Sequence, residues 1–539
     1  MSSFTPAAPA TIDPHTLLQW LRDGGEIALI DIREEGLFGE RHLLLAANIP
    51  YSRLELDIQA LVPRPATRIV LVAEPAIGPL ALRRLAALGY GDVHLLEGGF
   101  EAWQAAGQPV FAGVNVPSKA FAEYVEVTLH TPDIEAAELD RLRQEGADLI
   151  VIDTRTSDEF ARFHVPGAVS APGAEIVQRF AELVPSAETT VVVSCAGRTR
   201  GIIGGQALIN AGVPNPVRVL SGGTQGWRLA GFALERDSPA VPRSPLAESA
   251  RAKAQARAAT LASRHAVPEI DTAELARLRG EADRTTYLFD VRSPEEYATG
   301  HAEGFVSAQG GQLVQALDSW AATRGARIVL TDDDGVRARV TAHWLRQLGW
   351  DAVVLPGFVE GKAPTSAHPE PARPPAPTVL TAAELREWLG VGAALLSADR
   401  SGDHRRNRPA RAGWVNRSRL DQLPQEVAAA PRLVVTAADA GLAALVALDL
   451  AEARRVPVAI YPGGEESWRQ AGLALSGAGD EPRDAKRIDY LFWLHDRHSG
   501  NLASSRAYLD WELGLPSAVG GPDSTGFSIA APPQARAAE

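Results

Sequence analysis

Four times along the chain an unbroken apolar run gives way to a polar turn: ALIDIREEG from Ala28, LIVIDTRTSDEF from Leu149, YLFDVRSPEEY from Tyr287 and ALLSADRSGDH from Ala394. In each case a second apolar run follows and leads into an amphipathic pattern, as in RIVLVAEPAIGPLALRRLAALGY, TVVVSCAGRTRGIIGGQALINAGV, RIVLTDDDGVRARVTAHWLRQLGW and RLVVTAADAGLAALVALDLAEARR. Runs that are apolar throughout rather than alternating read as strands buried on both faces, and their alternation with helices predicts α/β architecture with parallel sheets covered on both sides.

A third phrase closes each unit: LLEGGFEAWQAAGQPV from Leu95, VLSGGTQGWRLAGFAL from Val219, VLPGFVEGK from Val354 and IYPGGEESWRQAGLAL from Ile460. It reads as a short strand, a glycine turn, and a helix whose Trp packs inward at Trp103, Trp227 and Trp468; the third copy lacks that Trp. Self-similarity at about a hundred residues is the mark of a repeated domain. The repeats place domain 1 at 8–115, domain 2 at 125–237, domain 3 at 266–362 and domain 4 at 379–478. Between the second and third lies a 238–265 linker whose centre, AESARAKAQARAATLA, reads as helical. A proline-dense tether, 363–378, precedes domain 4 and allows the two halves to move independently. An aromatic-rich extension, 479–539, is expected to dock on another part of the chain and, through Trp493 and Trp511, to close over the Cys195 loop.

Bulk properties narrow the function classes. At 539 residues several domains are required, and 45% hydrophobic with 22% charged residues is the composition of a soluble globular protein without an apolar run of membrane-spanning length. The N-terminus has no secretory pattern, so the cytoplasm is the expected compartment. A net charge of -13 argues against a nucleic-acid partner. A single cysteine excludes an internal disulfide and a cysteine-based metal cluster. His495 and His498, three apart without a third ligand, are read as surface groups, and neither metal nor cofactor is expected.

That one cysteine, Cys195, sits where an apolar strand ends and a helix is about to start, in the loop Cys195-Ala196-Gly197-Arg198-Thr199-Arg200-Gly201. A helix N-terminus supplies unpaired N–H groups and partial positive charge, and two arginines add permanent charge, so the loop is expected to favour a thiolate and to bind an anion. A structural cysteine has no need of such a surround. Asp153 and Arg155, the Asp-x-Arg that recurs as Asp31/Arg33 and Asp290/Arg292, are read as an ion pair that fixes a turn, and His164 as a loop-ordering hydrogen-bonder.

Cys195-Ala-Gly-Arg-Thr-Arg200 resembles the six-residue active-site loop of the rhodanese family, IDTRTSDEFARFHVPGAVSAP its opening motif and LSGGTQGWRLAG its closing one. The resemblance extends in weaker form over all four units. It implies sulfurtransferase chemistry in which Cys195 takes sulfane sulfur from thiosulfate or a similar small anion, forming a persulfide that passes to cyanide or a thiol. It also implies that the backbone of Ala196 to Gly201 cradles the persulfide, that Arg198 and Arg200 steer the donor, and that Asp153, Arg155 and His164 are scaffold. Pro166 stands where two-domain thiosulfate enzymes tend to carry a basic residue, which leaves the donor open.

Alignment places Ala73, Asp332 and Ala437 at the position of Cys195, so the other three units are expected to be silent in catalysis, leaving them to shield the persulfide, form a homodimer face or dock an acceptor protein. Two other classes remain in view: a non-catalytic sulfide sensor or scaffold, and a cysteine-dependent phosphatase or arsenate reductase. Ser194 rather than His before the cysteine, and a loop one residue shorter than phosphate-handling relatives use, weigh against the latter.

Overall fold

The apolar runs form the strands they predict. In this computed structural model, which describes residues 10–240, 245–357, 377–477, 479, 481–520 and 525–529, the chain divides into two compact units. One comprises residues 1–114 with 369–495, the other 115–368 with 496–539.

The first unit holds two five-stranded parallel sheets. One runs Thr11–Ile12, Val93–Leu96, Arg68–Val72, Ile27–Asp31, Ala47–Asn48, and the other Thr378–Val379, Val458–Ile460, Leu433–Thr436, Ala394–Ser397, Gly413–Trp414. Arg417 joins them: its fully buried guanidinium pairs with Glu55 at 2.6 Å and Asp449 at 2.9 Å, and Tyr51 donates to Asp449 at 2.7 Å. Trp103 and Trp468 are buried, as the closing phrase predicts.

In the second unit the same order recurs: Asp133–Ile134, Val217–Leu220, Thr190–Ser194, Leu149–Asp153, Val169–Ser170. Its neighbour has four strands, Val306–Ser307, Thr286–Asp290, Arg327–Thr331 and Asp351–Leu355, and a single bridge from Glu269 to Val354 stands where the others carry their first strand. Val191, Val192 and Val193 are all buried, which is why that strand is apolar on both faces. The two sheets' loops meet at glycines: a Cβ on Gly173, which has φ +49°, would lie 2.5 Å from the Cα of Gly311.

The Ala-rich linker forms the helix Glu248–Arg264, with Ala254, Ala258 and Leu261 buried at helical spacing. Apart from Pro377 and Thr378, the proline-dense tether lies outside the described residues, as does the side chain of His498. The aromatic extension is not one body. Residues to His495 belong to the first unit, where Leu491 packs on Gly39, and those from Asp496 belong to the second. Among the described residues no helix is long and apolar enough to cross a membrane.

Candidate active site

Cys195 follows a central strand of its sheet at the carboxyl edge, where parallel α/β sheets place their ligands. The strand ends with Ser194 paired to Asp153, and the helix Thr199–Asn210 begins four residues beyond the thiol. The loop between them is tied to the closing phrase. Thr224 N–H donates to the Cys195 carbonyl at 2.8 Å, and Gln225 donates to the Ala196 carbonyl from its N–H at 3.2 Å and its side-chain amide at 3.0 Å. Gly223, at φ +54°, makes this possible: a Cβ there would lie 2.3 Å from the Cys195 carbonyl oxygen. The paired glycines are therefore part of the thiol loop's mount.

Cys195 is 2% exposed, and Gly201 packs against its sulfur, a Cβ there lying 3.4 Å from Sγ. Burial pushes its pKa up; Arg200 pulls it down, Glu512 pushes it up again, and the Gly201 amide lowers it. This corrects the expectation of a favoured thiolate, since helix terminus and arginines are outweighed by desolvation of the charged form.

The arginines are engaged. Arg200 forms a two-pronged pair with Glu159 at 2.6 and 2.8 Å and reaches Gln312 at 3.3 Å. Burial would raise the Glu159 carboxyl, but the hydrogen bonds and charge of Arg200 outweigh it and hold it at about 2. Arg198 turns away to Glu123, at 2.8 and 2.9 Å, and to Glu126. Free guanidinium groups to steer a donor are thus not what the loop arginines present. Asp153 and Arg155 form the buried pair read from the sequence, at 2.8 Å, with Arg155 also donating to the Phe163 carbonyl. The His164 Nδ1 lies 2.8 Å from the Phe160 carbonyl and its ring stacks on Phe160, a loop-ordering position.

Four residues not singled out in the sequence complete the surround. Lys119 and Glu123 lie on the helix Val116–Leu129, which falls largely between the predicted domains, and Tyr508 and Glu512 on the helix Leu502–Val519. The buried Glu512 accepts at Oε1 from Tyr508 at 2.7 Å and from Thr199 at 3.2 Å, with the Lys119 ammonium 3.9 Å away. Its Oε2 has no hydrogen-bond partner among the described residues and lies 2.9 Å from where a Cβ on Gly197 would be. The extension does reach the Cys195 loop, through Tyr508 and Glu512; Trp493 belongs to the other unit. The available signal was Lys119 and Glu123, four apart and flanked by the apolar Ala120, Phe121 and Ala122. Beside the loop a cleft of about 540 Å³ opens, lined by Arg198, Arg506, Leu509 and Asp510 among others.

At the equivalent position of the next sheet, Asp332 fills the cradle with its own carboxylate, accepting from Gly335 N–H at 2.6 Å and Ala338 N–H at 3.1 Å. Ala338 stands six residues after Asp332, as Gly201 does after Cys195. Arg337 pairs with Glu296 at 2.6 Å, repeating the Arg200–Glu159 pair. Ala437 is buried and offers no reactive atom. Among the described residues no group of three or more His, Cys, Asp or Glu is placed to hold a metal ion.

The family model of the rhodanese-like domain matches residues 13–106, 135–230 and 271–361. The crystal structure of a thiosulfate sulfurtransferase from Pseudomonas aeruginosa superposes with a TM-score of 0.90 at 41% identity, over 96% of this chain and 99% of that one. Among curated proteins, a helix-turn-helix-type transcriptional regulator of Mycobacterium tuberculosis is 31% identical over 152 residues, 26% of this chain and 66% of that protein. An uncharacterized protein of Synechocystis is 34% identical over 107 residues, 20% of this chain and 59% of that protein. The chain spans less than two thirds of the length of either curated relative.

Proposed function

The chain belongs to the rhodanese-like family, and from that premise we propose that it is a sulfurtransferase working through a persulfide on Cys195. The observation that carries the reading is the thiol at the end of a buried strand, at the head of a six-residue loop that leads into a helix whose Gly201 packs against the sulfur, a Cβ there lying 3.4 Å from Sγ. The likeness along the whole chain to a thiosulfate sulfurtransferase supports thiosulfate as donor.

In the first half-reaction the Cys195 thiolate attacks the outer sulfur of thiosulfate. A new S–S bond forms, the bond to the sulfonate sulfur breaks, and sulfite leaves with the electron pair. The persulfide carries one negative charge, which the backbone N–H groups of Ala196 to Gly201 are suited to stabilise. In the second half-reaction cyanide or a thiolate takes the outer sulfur and returns Cys195 as thiolate. With no second cysteine in the sequence, the persulfide cannot collapse to an internal disulfide, so the sulfur leaves to an external acceptor.

Within this reading Arg200 acts on the thiol's ionisation, and Arg198 anchors the loop to the Val116–Leu129 helix. Asp153, Arg155 and His164 hold the frame. The sheet of residues 378–460 is a fourth copy of the domain, supported by its strand order, and the three units without cysteine are silent in transfer. Thiosulfate:cyanide transfer, followed as thiocyanate, tests the proposal. Activity in the wild type that falls to background in Cys195→Ala supports it; equal activity in the two proteins would overturn it.

A further inference from the structure

With both loop arginines committed to carboxylates, the positive charge that meets an anionic donor must come from elsewhere. Two cations near the thiol have unspent hydrogen-bond donors. Lys119 is 4% exposed, and among the described residues its ammonium has no hydrogen bond: Glu512 pairs with it at 3.9 Å, the Trp511 ring lies 5.8 Å away, and the buried Asp318 carboxylate feels its charge. Arg497, whose side chain also hydrogen-bonds Tyr508, has buried Nε and Nη1 atoms without a hydrogen-bond partner among the described residues. Both face one ring: the Arg497 guanidinium lies 3.6 Å and the Lys119 ammonium 5.5 Å from the centre of Tyr508, whose hydroxyl is bound to Glu512 beside Gly197.

Two like charges gathered at one ring, with the single Glu512 carboxylate paired to one of them and already bound to Tyr508 and Thr199, favour the approach of a further anion. Burial pushes the Lys119 pKa down to about 8 against the pull of Glu512, with Arg497 and Arg200 pushing the same way, so the ammonium stays charged at neutral pH. Lys119 feels the loop: Cys195 itself is among the charges that act on it. Neither residue falls within the 135–230 segment matched to the family's domain.

We propose that Lys119 and Arg497 form an oxyanion subsite beside the Cys195 loop that takes the sulfonate end of the sulfur donor. Glu512 is its positioning residue, holding the ammonium and, through Thr199, the start of the loop helix. The subsite sets the outer sulfur toward Cys195 and receives the sulfite that departs with the electron pair of the broken S–S bond. The inference rests on the persulfide reading of Cys195.

The test compares thiosulfate with a donor that has no oxyanion, cysteamine persulfide, in the full-length protein. For Lys119→Gln and Arg497→Gln the KM for thiosulfate is expected to rise about tenfold or more with kcat within about threefold, since lost ground binding appears in KM. Inhibition by sulfite weakens in parallel, parameters for cysteamine persulfide stay put, and Lys119→Arg recovers most of the thiosulfate KM. Equal losses with both donors, or an unchanged thiosulfate KM, would overturn the subsite. If Lys119→Gln does not fold, Arg497→Gln alone decides. Failure of the underlying reading looks different: neither donor then adds sulfur mass to wild-type Cys195.

Discussion

The ionisation of one thiol decides how this site operates. Cys195 is raised by burial first, and Arg200 and Glu512 then act on it in opposite directions. Removing the charge of Glu512 therefore lowers the thiol pKa. Glu512→Gln keeps an acceptor for Tyr508 and Thr199 and should move the pH midpoint of iodoacetamide alkylation downward, with the rate at pH 7 rising about three- to tenfold, since one pKa unit is tenfold in thiolate. Arg200→Gln should move the midpoint upward. A midpoint that stays in place in both variants would show that burial alone sets it. Asp332 shows the same cradle with the sign settled differently: a carboxylate supplies the negative charge internally, and burial together with Asp334 raises its pKa to about 7.

The mount for the thiol is a property of elements. The strand Thr190–Ser194, the helix Thr199–Asn210 and the turn before the helix Gly223–Leu229 meet at the Cys195 carbonyl, and only a residue without Cβ fits the turn. Gly223→Ala adds left-handed strain to a backbone clash at 2.3 Å and should cost about 2–4 kcal/mol. Gly231→Ala, at φ +92° with nothing within 4 Å, is the control and should cost about 1 kcal/mol. Thermal midpoints separate the two, and matching losses would mean the clash is relieved without consequence. These elements were legible in the sequence because each is local: an apolar run, a glycine pair and an amphipathic run lie within about a hundred residues of one another. The Asp153–Arg155 pair was legible for the same reason, being two residues apart.

At the scale of the whole molecule, what sequence could not show is which distant segments come together. The repeat announced itself, yet one compact unit joins the sheet of residues 11–96 to that of 378–460, the other holds the two sheets between them in sequence, and the extension divides at His495. Lys119 and Glu512 stand 393 residues apart in sequence, and no local pattern links them. Ending the chain at His495 removes Arg497, Tyr508, Glu512, the Pro516 carbonyl that accepts from Tyr124 at 2.7 Å, and the Phe527 ring packed on Phe121 at 5.3 Å. The Cys195 loop then loses its cover on that side. Labelling by a bulky maleimide should accelerate more than labelling by iodoacetamide, raising the ratio of the two rates about tenfold. Glu512→Gln, which keeps the helix Leu502–Val519 over the loop, should leave that ratio near the wild-type value. A ratio unmoved by truncation would mean that the helix Leu502–Val519 does not limit access to the thiol, and that the route to Cys195 runs through the cleft beside Arg198.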